Sequence, residues 1–304
     1  MNYPAVMVQD LTKIYGPTRA VDGIGFEVQA GEVFGLLGPN GAGKTTTLEC
    51  IEGLRAPTHG IVRVCGLDPI KDKRRMQDVL GVQLQSSALP EQITAEEAMA
   101  MVCAWHGCKP RKDLLERFHL APLSGKRFGQ MSTGQQRRLQ LALALAGSPK
   151  VVVMDEPTAG VDVQGRAELH KYIRELKSSG ITLLLATHDM AEAQSLCDRI
   201  AILIGGKVAV LGTPEQVTSA GSAQTRVTIK TAKGTLLCQG NVRYARFMKN
   251  TDDYALWLCS DTANAVMELL RAAMDAGDTV EDLRVERPTL EERFIEIVVG
   301  GKSA

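Results

Sequence analysis

The chain has 304 residues, 44% of them hydrophobic and 4% aromatic, with 35 lysines and arginines balanced by 35 aspartates and glutamates. That length suits one large domain with a small one beside it, and zero net charge leaves no field to hold nucleic acid or an anionic membrane, so no nucleic-acid partner is expected. The seven cysteines are odd in number and scattered behind a start, MNYPAVMVQD, without a secretory leader, which points to a reducing cytosol. No apolar run approaches the roughly 20 residues a bilayer crossing needs, so any membrane involved is crossed by another chain.

Up to about residue 216, short β-rich apolar runs alternate with helical patterns, which predicts an α/β domain on a largely parallel sheet. Strands are expected at AVMVQ, GIGFEV, EVFGLL, GIVRV, VLGVQL, KVVVMD, ITLLLAT, RIAILI and KVAVLG. The early ones, before residue 38, are expected to form an antiparallel annex. From about 91 to 147 the strand signal stops and helical runs take over, TAEEAMAMVCAWHG, KDLLERFHL and TGQQRRLQLALALAG, so a helical insert is predicted. Within it Cys103, His106 and Cys108 crowd together, but zinc takes four ligands and no second cluster completes the set. Buried thiols and a surface histidine are the expectation there.

Residues 217–224 are small and polar and read as a linker. Beyond them, 225–304 read as a small α+β domain. Strands are expected at TRVTIKT, YALWLC and VEDLRVERP, a helix at ANAVMELLRAAMDAG ending at Gly277, and a short closing helix at RPTLEERFIEIVVG.

The stretch GPNGAGKTT, between the apolar run EVFGLLG and the helical run TTTLECIEGL, fits the phosphate-binding pattern G-x-x-x-x-G-K-[ST] in the context it requires. Glycines let backbone N–H groups and a helix start close around phosphate oxygens. Gly38, Pro39, Asn40, Gly41, Ala42, Gly43, Lys44, Thr45 and Thr46 are therefore candidates to bind a nucleoside triphosphate. Lys44 is expected to reach the β and γ phosphates, and the Thr45 hydroxyl to complete the shell of a Mg²⁺. In KVVVMDEPTAGVD, an apolar strand delivers Asp155 and Glu156 to its end, where ligands gather in such sheets. Asp155 is expected to hold Mg²⁺ through water, and Glu156 to polarise the water that attacks the γ-phosphate. His188, after the strand in LLLATHDM, arrives at the same edge and is expected to contact the γ-phosphate.

Together these residues resemble the ATPase subunit of ABC transporters, over essentially all of 4–216. GPNGAGKTT is similar to the family's Walker A motif, VVVMDEP to its Walker B, AGVD with Asp162 to its D-loop and MSTGQQRRL to its LSGGQ signature, while His188 matches the switch histidine. The resemblance implies that Gln85, in GVQLQSSALP, touches Mg²⁺ or the attacking water, and that adenine stacks on Tyr15. It also implies a homodimer closing around two ATP molecules, each cradle facing the other copy's signature, with Ser132, Gly134 and Gln135 at the partner's nucleotide. Thr133 and Met131 depart from the signature pattern, but Gly134 is retained, so activity is expected to survive.

A separate polytopic membrane permease follows from the same resemblance, with this chain held on the cytoplasmic face of the membrane. The surface from Ser86 to about Ala104, with apolar Ala98, Met101, Val102 and Trp105 on its helix, is expected to receive a short permease helix. TTTLECIEGLRAPTHGIVRVCGLDP, RIAILIGGKVAVLGTPEQV and PTLEERF at 288–294 look like the drug- and antibiotic-export branch, as in daunorubicin-type resistance ATPases. The alternative is a soluble relative acting on the ribosome or DNA. Such relatives usually carry two ATPase domains or long coiled coils, and neither is found here.

Overall fold

The structure, a computed structural model, describes residues 3–83, 89–220, 225–238 and 242–300. β1 (Val6–Tyr15) and β2 (Thr18–Val28) mix buried and exposed positions, each offering one face to a core, whereas β3 (Val33–Leu37) is buried throughout. After α1 (Lys44–Ile51), β4 (His59–Val64) pairs antiparallel with β1 and completes a three-stranded annex of order β2-β1-β4. This corrects the expectation that the annex consists of the strands before residue 38. EVFGLL joins the main sheet and GIVRV, beyond the phosphate loop, joins the annex. An apolar run predicts a strand but says nothing of its partner.

α2 (Lys73–Met76) and β5 (Leu80–Gln83) lead to the helical insert of α3 (Ala95–Trp105), α4 (Lys112–Arg117) and α5 (Thr133–Ala144). Thr94 caps α3 and Ser132 caps α5, each in a reciprocal capping box with the residue three further on, Glu97 and Gln135. Then come β6 (Val151–Asp155), α6 (Val163–Ser178), β7 (Thr182–Thr187), α7 (Met190–Leu196), β8 (Arg199–Ile204) and β9 (Lys207–Gly212). The main sheet runs β5-β6-β7-β3-β8-β9, parallel except at the edge strand β9. Its central strands β6 and β7 are buried at every position, as continuous apolar runs must be when both faces of a parallel sheet are covered. The register sets Leu37 beside Thr187 and Asp155 beside Ala186. The chain therefore leaves β3, β6 and β7 at one common edge.

The chain divides into two compact units, one up to Pro214 and one from Glu215. α8 (Pro214–Ser219) is helical over part of the stretch read as a linker. Pro at the first helical position is preorganised for a helix, and this outweighs the small polar residues that follow.

In the second unit β10 (Thr225–Thr231), β11 (Ala245–Thr251), β12 (Tyr254–Cys259) and β13 (Val280–Glu286) make an antiparallel sheet of order β11-β12-β10-β13. α9 (Thr262–Asp275) packs its Ala265, Leu269 and Ala273 into a core with Val227, Ile229 and Trp257, and α10 (Leu290–Gly300) follows. Each large apolar side chain buried in such a core stabilises it by about 1.5–3 kcal/mol. Among the described residues, no helix is long and apolar enough to cross a membrane.

Candidate functional site

The loop between β3 and α1 is threaded so closely that two of its glycines admit no other residue. A Cβ on Gly38 would meet the Leu203 carbonyl oxygen at 2.5 Å, and one on Gly43 would meet that of Ala20 at 2.5 Å. Beside the loop lies a cavity of about 220 Å³ lined by Asn40 to Thr46, Ala20, Asp155 and Glu156. Lys44 is 6% exposed, and its ammonium donates to the loop's own carbonyls, Gly38 O at 2.7 Å and Pro39 O at 3.3 Å. Burial lowers the Lys44 pKa while the carboxylates of Glu156 and Asp155 pull it back up.

Asp155, at the end of β6, is 5% exposed, and its Oδ2 accepts a hydrogen bond from Thr45 Oγ1 at 3.0 Å. Burial raises its pKa, and the neighbouring Glu156 adds to that, against the Thr45 hydrogen bond, Lys44 and Arg137. The cavity thus holds a buried cation whose ammonium is met by carbonyl dipoles, and a buried acid that burial disfavours in its charged form. A phosphate chain carrying a divalent cation answers both needs, and the oxygen donors of Thr45 and Asp155 suit Mg²⁺.

Glu156 takes up a left-handed backbone conformation, φ 50°, which for a residue with a branched-off side chain costs about 1–3 kcal/mol and persists only where its surroundings impose it. Its N–H donates to Ala186 O at 2.9 Å. The Glu156 carboxylate Oε1 lies 2.8 Å from His188 Nδ1. An ionised carboxylate only accepts, so Nδ1 carries the proton and Nε2 is left as the free ring nitrogen. His188 itself is largely exposed, its side chain at 63%.

Among the described residues, the other predicted ones below lie outside this cavity. Ser132, Gly134 and Gln135 form the start of α5, where the Ser132 hydroxyl accepts from Gln135 N and the Gln135 side-chain Oε1 accepts from Ser132 N and Lys126 Nζ. Asp162 caps α6, accepting from Gly165 N at 2.7 Å. Tyr15 ends β1 with the Lys13 ammonium 5.1 Å above its ring. Gln85 lies outside the described residues. In the insert Cys103 is buried, but Cys108 is exposed, against the expectation of buried thiols, because the helix ends at Trp105 and the chain turns out through Gly107. No cluster of metal-ligating side chains occurs among the described residues.

A second cavity of about 460 Å³ opens where α1, α2, β5, α3 and α5 meet, lined by Leu54, Met76, Leu80, Val102, Trp105 and Leu143 among others. Glu52 also lines it, its pKa pushed up to about 7 by burial and by the nearby Asp155 and Glu49 carboxylates. On α3, Ala98 is buried, while Met101 and Trp105 are exposed.

Sequence reasoning missed four residues. Ala20 of β2 helps to line the cavity. Arg137, on the buried face of α5, feels both Asp155 and Glu156. Thr158 and Glu192 join by a buried hydrogen bond. None sits in a chemical pattern of its own. Only the apolar spacing of α5 marks Arg137 as a core-facing charge.

The ABC transporter family profile matches residues 21–159. Over 301 residues the chain is 34% identical to the daunorubicin resistance ATP-binding protein DrrA3 of Streptomyces coeruleorubidus, covering 96% of this chain and 95% of that protein. The chain belongs to the ABC transporter ATP-binding proteins. As a member, it is an ATP-binding subunit and an ATPase. This ABC subunit is also 39% identical over 217 residues to the Nod factor export ATP-binding protein I of Paraburkholderia xenovorans, covering 69% of this chain and 71% of the relative. A solved ATP-binding subunit of an ABC transporter superposes with TM-score 0.66 at 27% identity, over 71% of this chain and 92% of that one. A dimeric ATP-binding cassette in a post-hydrolysis state, bound to ADP and Pi, gives TM-score 0.63 at 26% identity, over 68% of this chain and 98% of that one.

Proposed function

We propose that two copies of this ABC subunit close around two molecules of ATP with Mg²⁺, and that hydrolysis drives export through a separate permease that holds the pair on the cytoplasmic face of the membrane. The observation that carries the reading is the division of the site. Lys44, Asp155 and Glu156 meet in one cavity, whereas Ser132 and Gly134 lie outside it at the start of α5, whose N–H groups favour an anion. A second copy supplies what each cavity lacks.

Lys44 leaves its loop carbonyls for the β and γ phosphates, and Thr45 and Asp155 are the residues that would hold Mg²⁺. Mg²⁺, when bound, neutralises charge on the phosphate oxygens. Glu156 orients a water and takes its proton as the water oxygen bonds to the γ-phosphorus and the bond to the bridging oxygen of ADP breaks. His188 donates from Nδ1 to Glu156 and, with both ring nitrogens protonated, donates from Nε2 to a γ-phosphate oxygen. The apolar cavity beside Trp105 receives a permease helix, as a groove takes an amphipathic helix elsewhere. Export is supported by the relatives, which serve daunorubicin resistance and Nod factor export.

The test is oligomeric state. Glu156→Gln with ATP and Mg²⁺ should elute as a dimer, and a further Gly134→Asp should return it to a monomer. A Glu156→Gln chain that stays monomeric in saturating ATP sinks the reading.

A further inference from the structure

Glu192, in the first turn of α7, has the sequence position of an ordinary solvent-facing acid at a helix start. It is instead 2% exposed. Its Oε1 accepts the Thr158 hydroxyl at 2.9 Å and lies 3.4 Å from His170 Nε2, while its Oε2 has no hydrogen-bond partner among the described residues. A carboxylate so buried and so thinly partnered is poor as a stabilising device, since an apolar side chain fills the same place at less cost. What it provides is a link between two segments that carry Glu156 and His188, the residues proposed above to act on the attacking water and the γ-phosphate.

One segment begins at Glu156 and runs through Thr158 to Asp162. The Ala159 N–H donates to Glu156 O at 3.2 Å and that of Val161 to Thr158 O at 3.1 Å. The other begins at His188. Asp189 N donates to Thr187 Oγ1, Asp189 Oδ1 accepts from Glu192 N, and Asp189 Oδ2 accepts from Arg166 of α6, all at 3.0 Å. The bond from Thr158 to Glu192 joins these segments at one end and the contact from Glu156 to His188 joins them at the other. The result is a closed ring. It passes from Glu156 along the backbone to Thr158, across to Glu192, down the first turn of α7 to His188 and back to Glu156.

We propose that Glu192 is a positioning residue for ATP hydrolysis, its buried carboxylate accepting the Thr158 hydroxyl so that Glu156 stays in its left-handed conformation against His188. This rests on the reading of Glu156 as the group that acts on the attacking water. Glu192 touches neither nucleotide nor water. Without the ring, the backbone at Glu156 is free to relax toward an ordinary conformation and swing the carboxylate away.

The test uses the purified full-length chain with steady-state ATP hydrolysis, binding of a non-hydrolysable ATP analogue, and thermal unfolding. Thr158→Val keeps the side-chain shape and removes the hydroxyl. It should lower kcat about tenfold, the loss of one hydrogen bond to a charged group, with KM and analogue affinity nearly unchanged. Glu192→Gln, whose amide oxygen still accepts from Thr158, should keep most of the rate, and Glu192→Ala should match Thr158→Val. The double variant Thr158→Val/Glu192→Ala should be no slower than the slower single, because both remove the same bond. Should Glu192→Ala fail to fold, Thr158→Val carries the test alone. Full kcat in Thr158→Val beside a slow Glu156→Gln overturns the proposal, as does a double variant whose losses multiply. Wild-type hydrolysis by Glu156→Gln removes the reading of Glu156 and the proposal with it.

Discussion

Asp155 in the nucleotide-binding unit and Asp278 in the C-terminal unit are buried alike, at 5% and 7% exposure, yet their pKa values move in opposite directions. For Asp278 desolvation is again the largest influence and acts upward, but it is overcome by hydrogen bonds. Thr235 donates through both its hydroxyl and its N–H, the N–H groups of Lys233 and Thr279 donate as well, and the Thr231 side chain adds another hydrogen bond. The net shift is well below the usual carboxylate range. Asp155 has one hydrogen bond, from Thr45, with Lys44 and Arg137 nearby, but burial and the Glu156 carboxylate outweigh them and its shift is upward. Burial alone therefore says little about a charge. Asp278, fully partnered, holds its fold together, whereas Asp155, short of partners, stands where a ligand arrives.

The hardest test of that contrast is Glu156→Gln, which should lower ATP hydrolysis by about 10²- to 10³-fold, the usual cost of one preorganised polar group in an active site, with nucleotide affinity retained. Hydrolysis at the wild-type rate would take Glu156 out of the mechanism. Lys44→Ala should weaken ATP binding by about 10- to 100-fold, from lost hydrogen bonds to a charged group, and isothermal titration measures it. In the nucleotide-free chain the same change should leave the unfolding temperature unchanged or raised, because burial of the ammonium outweighs the favourable Glu156 and Asp155 carboxylates. A marked fall would mean that Lys44 is structural.

Tyr15→Ala should raise the ATP dissociation constant by about tenfold, taking the stacking of a base on an aromatic face, roughly 1–3 kcal/mol, as a ceiling. Tyr15→Phe should leave affinity unchanged. Equal effects would assign the role to the hydroxyl.

The smallest effects are the most direct comparison of the two aspartates. Asp155→Asn should raise the unfolding temperature of the nucleotide-free chain by a few degrees, and Asp278→Asn should lower that of the C-terminal unit by a similar amount. Tryptophan fluorescence from buried Trp257, in a Trp105→Phe background, reports the second. The sign for Asp278 follows from its depressed pKa. Its contribution is fully present above the unfolded value, 3.8, and is lost as the pH falls below it. Acid sensitivity of Trp257 unfolding that survives Asp278→Asn undiminished would break the contrast.

Much of the nucleotide site was legible because its chemistry is local. The loop from Gly38 to Thr46, the acids after β6 and the histidine after β7 each follow an apolar strand, and a parallel sheet delivers strand ends to one edge whatever the strand order. β11 was missed for a related reason. It is an edge strand whose ARFMKNT is exposed at most positions, so it carries neither a continuous apolar run nor a clean alternation.

The sequence by itself determined most of the elements, the phosphate loop and the edge at which the candidate site residues collect, since each depends on residues adjacent in the chain or on a period of two or 3.6. The tertiary structure decided which sheet β4 enters, that Lys44 folds onto its own loop, that Ser132 and Gly134 stay out of their own chain's cavity, and that Glu192 turns inward to Thr158. Those facts rest on contacts between residues far apart in the chain. A residue's type and spacing state what it can bind, but only the packing of distant segments decides what it meets.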